Sequence, residues 1–463
     1  MRTPGAILLI SCYELGHQPL NLASPFAFLS QAGYLPVAID TAVDSLSDEA
    51  INQARLICVS VPMHTALRLA MRVAERVRLL NPDARLCFYG LYAALNADYL
   101  LGQGIDFIIS GEYEQALLTL VQALEQGQVE ALPGVSTHTQ RARPILSRQP
   151  FIQPGRQELP PLRRYAHLQR GDMLSVAGYV EASRGCLHTC LHCPITPVYE
   201  GRFFVVPRET VLQDIRAQVR MGAEHITFGD PDFLNGPGHS LKILRAMHAE
   251  FPTLTFDATI KIEHILEHHA LFPEFKALGC AFIVSAVESV SDHVLANLDK
   301  GHTRADVIEA LRILDAAGIP MRPSLLPFTP WATLDDYLDL LNFVEYHHLI
   351  DQIDPVHYSI RLLLPPGSAL LDTPAMQPYL GELDAASFSY QWTHPDPRMD
   401  RLQRDVAALV EANERAYISP AETFYAIKAL VEETSGLVLS AARHASPPVA
   451  QKMTPHLTES WFC

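Results

Sequence analysis

Three cysteines near the middle of the chain are the residues whose types and spacing point most directly to a chemistry. They lie in Glu181-Ala-Ser-Arg-Gly-Cys186-Leu-His-Thr-Cys190-Leu-His-Cys193-Pro194, with the spacing CxxxCxxC. Three thiols are an odd number, and a set this close together does not form a disulfide framework. A loop this short can instead turn three thiolates toward one metal centre. On a four-iron cluster, three sulfur ligands leave one iron free to bind another molecule.

This cysteine loop follows a strand-like run, Val176 to Ala182, and in that position its spacing resembles the signature of the radical S-adenosylmethionine (SAM) enzymes. The resemblance implies a 4Fe-4S cluster on Cys186, Cys190 and Cys193, with SAM on the open iron. It also implies that reduction through the cluster cleaves SAM to a 5′-deoxyadenosyl radical. That radical would abstract hydrogen from a substrate.

A structural zinc site is the alternative interpretation of the same loop. Such a site needs four ligands, and His188 or His192 would supply the fourth. The remaining cysteines that the sequence places in apolar, strand-like runs are expected to be ordinary buried thiols: Cys12, Cys58, Cys87 and Cys280.

The composition is that of a globular protein large enough for two domains and an extension. The chain has 463 residues, of which 48% are hydrophobic and 19% charged. A net charge of −16 argues against general affinity for phosphate backbones, so we expect no nucleic-acid partner. No uninterrupted apolar run approaches 18 residues, which predicts no membrane span. The N-terminus lacks the pattern of a signal peptide, and with unprotected thiols this predicts a cytoplasmic protein.

The first 130 residues alternate apolar strand patterns with helix patterns. The predicted strands are Ala6–Cys12, Leu35–Asp40, Leu56–Ser60, Arg85–Tyr89 and Asp106–Ile109. The predicted helices are Leu22–Ala32, Ser47–Gln53, Thr65–Leu80, Tyr92–Leu101 and Tyr113–Leu124. Five strands alternating with helices predict a doubly wound parallel sheet, which binds ligands beyond the carboxyl ends of its strands.

The order of elements from Gly5 to Leu124 resembles the cobalamin-binding domain that precedes the catalytic domain in one radical SAM subgroup. The resemblance implies a cobalamin at the strand ends, where the candidate residues are Glu14, His17, Met63, His64, Gly90 and Gly111. The Asp-x-His-x-x-Gly loop that supplies a histidine ligand to cobalt in some of these enzymes is absent. His17 lies in the corresponding loop without that context, so we expect no ligation by it. A flavodoxin-like domain that has lost its ligand is the alternative.

The remaining chain divides into a linker, a second strand and helix domain, and a tail. Residues 131–175 are rich in proline, glutamine and arginine and are interpreted as the linker. Residues 176–382 are predicted to form a partial (β/α)6 TIM barrel, and residues 383–463 a helical extension. The predicted barrel strands are Val176–Ala182, His225–Gly229, Leu254–Ala258, Ala281–Ser285, Met321–Leu326 and Pro355–Leu362. The predicted barrel helices are Arg208–Met221, Gly238–Glu250, Ile262–Leu278, Thr303–Ala317 and Thr333–His347.

Polar residues at the carboxyl ends of these strands are the candidate SAM ligands, since active sites of such barrels gather there. The resemblance implies that Gly229, Asp230 and Asp232 receive the SAM amino group, although either aspartate could simply cap the next loop. Glu288, with Ser289 beside it, closes an apolar strand. A carboxylate there is costly unless paired, and the family's ribose strand carries one.

Two further residues, His192 and Arg361, are candidate members of the same site. His192 precedes the third cysteine, where many radical SAM proteins carry an aromatic residue near adenine. Arg361 lies in the sixth predicted strand and would pair with the SAM carboxylate, with the substrate, or with an internal acid. Thr303 is predicted to be a helix N-cap.

The predicted tail has helices at Met399–Tyr417 and Ala421–Thr434 and ends in Trp461-Phe462-Cys463. This ending resembles a radical SAM (seleno)protein family whose tail is Cys-Sec-Ala-Glu-Pro or Cys-Cys-Ala-Glu-Pro (CUAEP/CCAEP). The resemblance implies that the chain stops at the first residue of that tail, as it would if a UGA codon followed. An ordinary terminal thiol is the alternative.

Together these resemblances imply a cobalamin-dependent radical SAM enzyme that methylates an unknown small molecule or peptide. An external electron donor of the flavodoxin or ferredoxin type would reduce the cluster. One alternative uses the same cofactors for a rearrangement, cyclisation or oxidation without methyl transfer. The other is a non-catalytic protein that handles a metal, selenium or arsenic through its tail thiols.

Overall fold

The first sheet is parallel except at one edge, and helices cover both of its faces. In the computed structural model, which describes residues 1–436 and 454–459, its strand order is β2-β1-β3-β4-β5-β6. The strands are β1 (Ile7–Ser11), β2 (Val37–Asp40), β3 (Leu56–Ser60), β4 (Arg85–Tyr89), β5 (Phe107–Ile109) and β6 (Val135–Ser136). Only β6 runs antiparallel. The predicted doubly wound sheet is confirmed.

Six helices connect these strands and form one hydrophobic core on each face of the sheet. They are α1 (Leu20–Gln31), α2 (Asp48–Gln53), α3 (His64–Leu80), α4 (Leu91–Leu95), α5 (Ala97–Gly102) and α6 (Glu114–Gln126). Because both faces are covered, β1 and β3 are buried at every residue, which explains their continuous apolar sequences. The predicted fourth helix is split in two at Asn96.

The second sheet is the predicted incomplete barrel, with strand order β14-β13-β12-β11-β8-β7-β17. Its strands are β7 (His167–Arg170), β8 (Met173–Val180), β11 (His225–Phe228), β12 (Thr255–Thr259), β13 (Cys280–Glu288), β14 (Met321–Leu325) and β17 (His456–Leu457). Strands β8, β11, β12, β13 and β14 are parallel. A short antiparallel pair, β9 (Ser183–Gly185) and β10 (Phe203–Val205), carries the cysteine loop between them.

Helices cover the outer side of this sheet. They are α7 (Thr196–Tyr199), α8 (Arg208–Arg220), α9 (Pro237–Glu250), α10 (Ile262–Glu267), α11 (Phe272–Ala277), α12 (Asp292–Asn297), α13 (Arg304–Ala316) and α14 (Leu334–Tyr346). The predicted helix Ile262–Leu278 is broken around a 3-10 turn at His269–Leu271. The predicted N-cap is confirmed, since Thr303 forms a capping box with Asp306.

The predicted sixth barrel strand, Pro355–Leu362, is wrong. Residues Pro355–Tyr358 form a 3-10 helix, and only a single parallel bridge, Phe328 with Arg361, remains at the sixth position. Proline at the first helical position explains the difference, because its fixed φ and missing N–H suit the start of a helical turn.

The C-terminal extension contains a hairpin that the sequence did not predict and two helices that it did. They are β15 (Leu380–Asp384) with β16 (Ser389–Trp392), followed by α15 (Pro397–Arg415) and α16 (Pro420–Thr434). Trp461, Phe462 and Cys463 lie outside the described residues. No helix within residues 1–436 and 454–459 is long and apolar enough to cross a membrane.

A short segment near the C-terminus joins the barrel sheet through β17, which pairs antiparallel with β7. Leu457 packs against Leu168 and Phe282, and Glu459 lines a small cavity with Arg322 of β14. This segment therefore bridges the gap between β7 and β14 that the incomplete barrel leaves open.

The predicted linker takes part in both sheets, because it supplies β6 to the first and β7 to the second. Its Arg156 is fully buried and pairs with Asp214 of α8 at 2.9 Å. The same guanidinium donates to Gln18 O at 2.9 Å and to Tyr179 O at 2.6 Å. One buried cation thus fixes the first strand-end loop of the N-terminal sheet against the barrel.

Candidate active site

The cysteine loop begins where the chain passes very close to β10. The Cys186 amide donates to Arg202 O at 3.1 Å, which continues the pairing of β9 with β10. Gly185 has a φ of +76°, and a Cβ atom there would overlap Arg202 O. Only glycine fits this position, so the Arg-Gly-Cys turn sets the direction in which the chain enters the loop.

The three thiols are free and face an interior with few polar partners. Cys190 is buried, while Cys186 and Cys193 are half-buried. Asn235 Oδ1 lies 3.8 Å from Cys186 Sγ and accepts from the Leu187 amide at 3.2 Å, which fixes the start of the loop. Burial raises the pKa of Cys186 and raises the pKa of Cys193 to about 11. Metal binding to these thiols must therefore release protons.

The three sulfur atoms are not gathered as closely as the ligands of a single zinc ion. Zn–S bonds of about 2.3 Å hold the ligand atoms of a zinc site within about 4 Å of one another. Across the described ranges 1–436 and 454–459, sets of ligand atoms within 4.8 Å of one another do not include the three cysteines. Three thiols at wider spacing are the donor set for a 4Fe-4S cluster with one open iron.

The turn after β11 holds the cysteine loop in place. Asp230 is 2% exposed and accepts from Ala182 N at 2.9 Å and from Ser183 Oγ at 2.5 Å, so it connects β11 to the strand that enters the loop. Burial raises the pKa of Asp230 to about 7. Gly229 cannot carry a side chain, because a Cβ atom there would overlap the Tyr179 hydroxyl. The contact of Gly229 and Asp230 with the SAM amino group stays a prediction.

Asp232 performs the capping role that the sequence allowed for it. One carboxylate oxygen accepts from Leu234 N at 3.2 Å at the start of a 3-10 turn. The other oxygen lies beside His188 and His264. Burial opposes its ionisation, but the two histidines outweigh burial and lower the pKa of Asp232 to about 2.

Glu288 closes β13 in a strained conformation, with a φ of +63° that non-glycine residues rarely adopt. Its carboxylate lies 3.3 Å from Lys300 Nζ and 3.3 Å from His192 Nε2. Burial opposes ionisation, but Lys300 and then His192 outweigh it and lower the pKa of Glu288 to about 2. Strain that surrounding contacts maintain is typical of functional sites.

The other two predicted SAM residues have partners within the chain. Ser289 is buried, and its hydroxyl accepts from Ser291 N at 3.1 Å. Arg361 pairs with Asp400 at 2.6 Å and lies 3.5 Å from the centroid of the Trp392 ring. Three partners were considered for Arg361: the SAM carboxylate, the substrate and an internal acid. In the structure it pairs with an internal acid, Asp400.

At the N-terminal sheet, the first strand-end loop is directed toward the barrel. His17 is buried, its ring centroid lies 4.8 Å from that of Tyr179, and its Nε2 lies 3.6 Å from Glu459. Burial lowers the pKa of His17 to about 4, so the ring is neutral. Glu14 in the same loop accepts from Asn21 N at 3.4 Å. Burial, with Asp40 as the second cause, raises the pKa of Glu14 to about 8.

The remaining candidate cobalamin residues make contacts within the chain. His64 Nε2 lies 2.8 Å from Ser387 O in the C-terminal hairpin, and Met63 packs on one core of the N-terminal sheet. Gly90 has a φ of +105° and approaches Val61 O closely. A Cβ atom at Gly111 would overlap the backbone of Ile145. The two glycines are therefore explained by backbone crossings.

Arg184 connects the two sheets, and sequence reasoning missed it. It lies two residues before Cys186, and its side chain pairs with Glu181 at 2.8 Å, with Glu112 at 3.3 Å and with Glu114 at 2.7 Å. Glu112 and Glu114 follow β5 at the carboxyl end of the N-terminal sheet. Burial opposes ionisation of Glu114, but Arg184 outweighs it and the pKa of Glu114 lies below its usual range.

This clamp of Arg184 with three glutamates holds the cysteine loop at the strand ends of the N-terminal sheet. Helix α4, which follows Gly90, also contacts α7, which follows the cysteines. The signal in the sequence was an arginine directly before the glycine and cysteine of the motif. Glu112 and Glu114 could not be identified as its partners because they lie about 70 residues earlier in the chain.

Comparisons with known proteins agree with this geometry. Residues 180–344 match the family model of the radical SAM superfamily. The chain is 23% identical over 291 residues to an uncharacterized methyltransferase of Pyrococcus horikoshii, covering 61% of this chain and 62% of that protein. It is 24% identical over 261 residues to the ribosomal protein uS12 methylthiotransferase RimO of Flavobacterium psychrophilum, covering 50% of this chain and 59% of RimO. The chain thus spans about three fifths of the length of these relatives.

Solved structures show the same architecture. The cobalamin-dependent SAM radical enzyme OxsB, with aqua-cobalamin bound, has a TM-score of 0.70 at 16% identity, over 88% of this chain and 67% of OxsB. The radical SAM methyltransferase TsrM from Kitasatospora setae, with cobalamin and a 4Fe-4S cluster bound, has a TM-score of 0.60 at 16% identity, over 75% of this chain and 71% of TsrM. At such identities the likeness shows the fold alone. The family match identifies residues 180–344, which contain all three cysteines, as a radical SAM domain.

Proposed function

We propose that this chain is a cobalamin-dependent radical SAM enzyme that transfers a methyl group to a small molecule or peptide. The observation that carries the proposal is the Arg184 clamp, which sets the cysteine loop against the strand ends of the N-terminal sheet. A doubly wound sheet binds its ligand at those ends, so a ligand there would lie beside the cysteine loop. The similarity to OxsB, TsrM and the methyltransferase relatives supports the same assignment.

The residues present fit a 4Fe-4S cluster and SAM. Cys186, Cys190 and Cys193 would hold the cluster, and Gly229, Glu288 and Ser289 would line the SAM site, with His192 beside it. When bound, the cluster supplies the electron that cleaves SAM and cobalamin supplies the methyl group. The chain itself positions these groups and excludes water from the space between its two sheets.

Glu288 is prepared to accept hydrogen bonds from sugar hydroxyls. Lys300 and His192 keep the carboxylate ionised although it is 9% exposed. An ionised, buried carboxylate is a stronger acceptor than a neutral group. Because its strained backbone fixes the side-chain direction, the acceptor needs no reorganisation when a ribose arrives.

Glu14, at the N-terminal strand ends, suits a macrocycle with amide side chains. The raised pKa of Glu14, about 8, means that burial keeps this carboxyl neutral near pH 7, where its proton can be donated to an amide carbonyl. His17 is turned toward Tyr179 of the barrel, which supports binding of cobalamin without a histidine ligand from the protein.

The test of the radical SAM assignment is anaerobic reconstitution with iron and sulfide. The chain should bind about four irons and form 5′-deoxyadenosine from SAM with a reductant. Cys186→Ala should lose both properties, because it removes a cluster ligand. Cys280→Ala, which changes a buried thiol of the same barrel, is the matched control and should keep both. A Cys186→Ala variant with full SAM cleavage would contradict the assignment.

Cobalamin and methyl transfer are tested separately. The reconstituted protein should bind one corrinoid per chain, and His17→Ala should bind it with the same visible spectrum. Formation of S-adenosylhomocysteine beside 5′-deoxyadenosine indicates methyl transfer. 5′-Deoxyadenosine alone indicates the rearrangement, cyclisation or oxidation. One zinc per chain without SAM cleavage indicates the metal-handling alternative.

The proposal includes a cytoplasmic location and an electron donor of the flavodoxin or ferredoxin type, since the cluster must be reduced. It also includes the CUAEP/CCAEP tail, whose first residue would be Cys463. The coding DNA tests the tail directly. A UGA codon after codon 463 supports it, and a UAA or UAG codon contradicts it.

A further inference from the structure

Three side chains that the proposed chemistry does not use converge beside the cysteine loop. His188 lies inside the loop, Asp232 follows β11, and His264 lies on α10. One ligand atom from each lies within 4.8 Å of the other two. His264 Nδ1 and His188 Nε2 are 2.7 and 3.2 Å from the same oxygen, Asp232 Oδ2. The three residues come from three separate elements of the barrel.

The converging atoms are buried and lack hydrogen-bond partners. His188 Nε2, Asp232 Oδ2 and His264 Nδ1 are each inaccessible to solvent, and none has a hydrogen-bond partner among the described residues. The two short N···O distances are not aligned as hydrogen bonds. Asp232 is 2% exposed, so water cannot reach its carboxylate oxygen. A metal ion at the centre of this set would satisfy all three atoms at once.

We propose that His188, Asp232 and His264 bind a divalent transition-metal ion, Zn²⁺ or Fe²⁺, that is separate from the cluster. Two imidazoles and one carboxylate are the ligands these ions take in proteins. In a four-coordinate site, bonds of about 2.0–2.2 Å place neighbouring ligand atoms about 3.4 Å apart, so the N···O distance of 3.2 Å fits and the one of 2.7 Å must lengthen when the ion binds. Three protein ligands leave a position for water or for a heteroatom of the substrate.

The neighbours of His188 suit a ligand histidine. Glu263 lies 3.6 Å from His188 Nδ1, on the opposite side of the ring from Asp232. Ligand histidines commonly donate this second N–H to a carboxylate, which fixes the tautomer and ring orientation. Lys261 Nζ, which can only donate, lies 3.3 Å from the same nitrogen, so metal binding by His188 requires Lys261 to turn wholly to Glu263, with which it already pairs.

A second set of candidate ligands overlaps the first and is the weaker one. His264, Glu267 and His268 also have ligand atoms within 4.8 Å of one another. Glu267 is exposed, its side chain being 67% accessible, and the three residues lie on α10 and at its C-cap. The inner set buries a charge that needs compensation, whereas water can satisfy the outer set.

The ion would join the cysteine loop, the turn after β11 and the start of α10. These are the segments that also carry Cys186, Asp230 and Lys261. The site therefore serves to fix the loop before the cluster is assembled. It does not depend on the proposed methyl transfer, because its ligands exclude the three cysteines.

The experiment uses the full chain with Cys186, Cys190 and Cys193 replaced by alanine, freed of metal and titrated with Co²⁺. One cobalt per chain should bind, with the visible ligand-field absorption of a four-coordinate ion and without a thiolate charge-transfer band. His264→Ala in this background should weaken binding by at least about 100-fold. Glu263→Gln should weaken it by about 10-fold, as loss of such a supporting contact does.

The matched control is His268→Ala, which alters only the outer set and should leave the titration unchanged. Loss of binding in His268→Ala but not in Asp232→Asn would assign the ion to the outer set and overturn the proposal. Absence of cobalt binding by the cysteine-free chain would overturn it as well, provided that its circular dichroism matches that of the parent. Failure of SAM cleavage in the parent chain would leave this result unaffected.

Discussion

At the carboxyl ends of the two parallel sheets, Glu288 on one side and Glu14 with Asp40 on the other lie in opposite electrostatic settings. In the barrel, Glu288 has Lys300 and His192 beside it, and its pKa is lowered to about 2. At the N-terminal sheet, burial dominates around Glu14 and Asp40, and their pKa values are raised to about 8 and about 6. Glu288 is therefore ionised near pH 7, whereas Glu14 is largely neutral and Asp40 is mostly ionised there.

This difference matches the two kinds of ligand that the edges are proposed to receive. SAM carries an ammonium, a sulfonium and sugar hydroxyls, all of which interact favourably with an ionised carboxylate. A corrin macrocycle presents amide side chains, for which neutral donors suffice. Both proposed ligand sites lie at the carboxyl ends of parallel strands. They suit different ligands because the charged groups beside their carboxylates differ.

The largest expected effect comes from breaking the contact between the edges. Arg184→Met removes the only side chain within residues 1–436 and 454–459 that pairs with Glu112, Glu114 and Glu181 together. Removing one partner of a buried ion pair leaves uncompensated charge and destabilises by about 3–5 kcal/mol. Denaturant unfolding of the full chain measures this. We also expect faster proteolysis between the two sheets.

Arg202→Met is the control for that variant, since Arg202 is close in sequence but its side chain is 56% exposed. It should change stability by no more than about 0.5 kcal/mol. Arg184→Lys should recover part of the loss, because it keeps the charge without the planar fork. Equal stability of the Met variant and the parent would show that the edges are joined by other contacts.

The sequence was most informative where the chemistry is local. The cysteine spacing occupies eight residues, and Glu288 stood out as a carboxylate at the end of an apolar strand. The clamp of Arg184 was missed because it depends on a contact between residues 72 positions apart. The short β17 and the 3-10 helix at Pro355 were missed because tertiary contacts, rather than periodicity, decide such brief segments.

The next effect tests whether the N-terminal edge is neutral. Because burial raises the pKa of Glu14 from its ordinary value of 4.5 to about 8 in the folded protein, the folded state holds a proton that the unfolded state releases. Stability from this group is complete below pH 4.5 and is lost as pH rises toward 8, by about 1.4 kcal/mol for each pH unit. Glu14→Gln should remove that loss and be more stable than the parent near neutral pH.

Stability curves of the two proteins at several pH values give the comparison. Asp40→Asn should have the same sign of effect over a lower range, from 3.8 to about 6. Parallel curves for parent and Glu14→Gln between pH 5 and 8 would mean that Glu14 is ionised in the folded protein. The contrast between the edges would then disappear.

A smaller effect tests the ionised edge. Lys300→Met leaves Glu288 with His192 as its remaining close partner and should cost about 1–3 kcal/mol at pH 7. In the parent, stabilisation from this depressed pKa is present above pH 4.5 and is lost as pH falls toward 2. The variant should show a smaller loss in that acidic range. Lys242→Met, on the exposed side of α9, should follow the parent.

The smallest effect concerns the loop that carries Lys300. Thr303 caps α13 through a reciprocal box with Asp306, and Thr303→Ala should cost about 1 kcal/mol by exposing backbone donors. Thr303→Ser keeps the hydroxyl and should retain most of that stability. Since Lys300 and Thr303 share one short loop, the alanine variant should also weaken SAM binding, measured by equilibrium dialysis. A loss of stability without weaker binding would show that Lys300 is held by Glu288 itself rather than by the start of the helix.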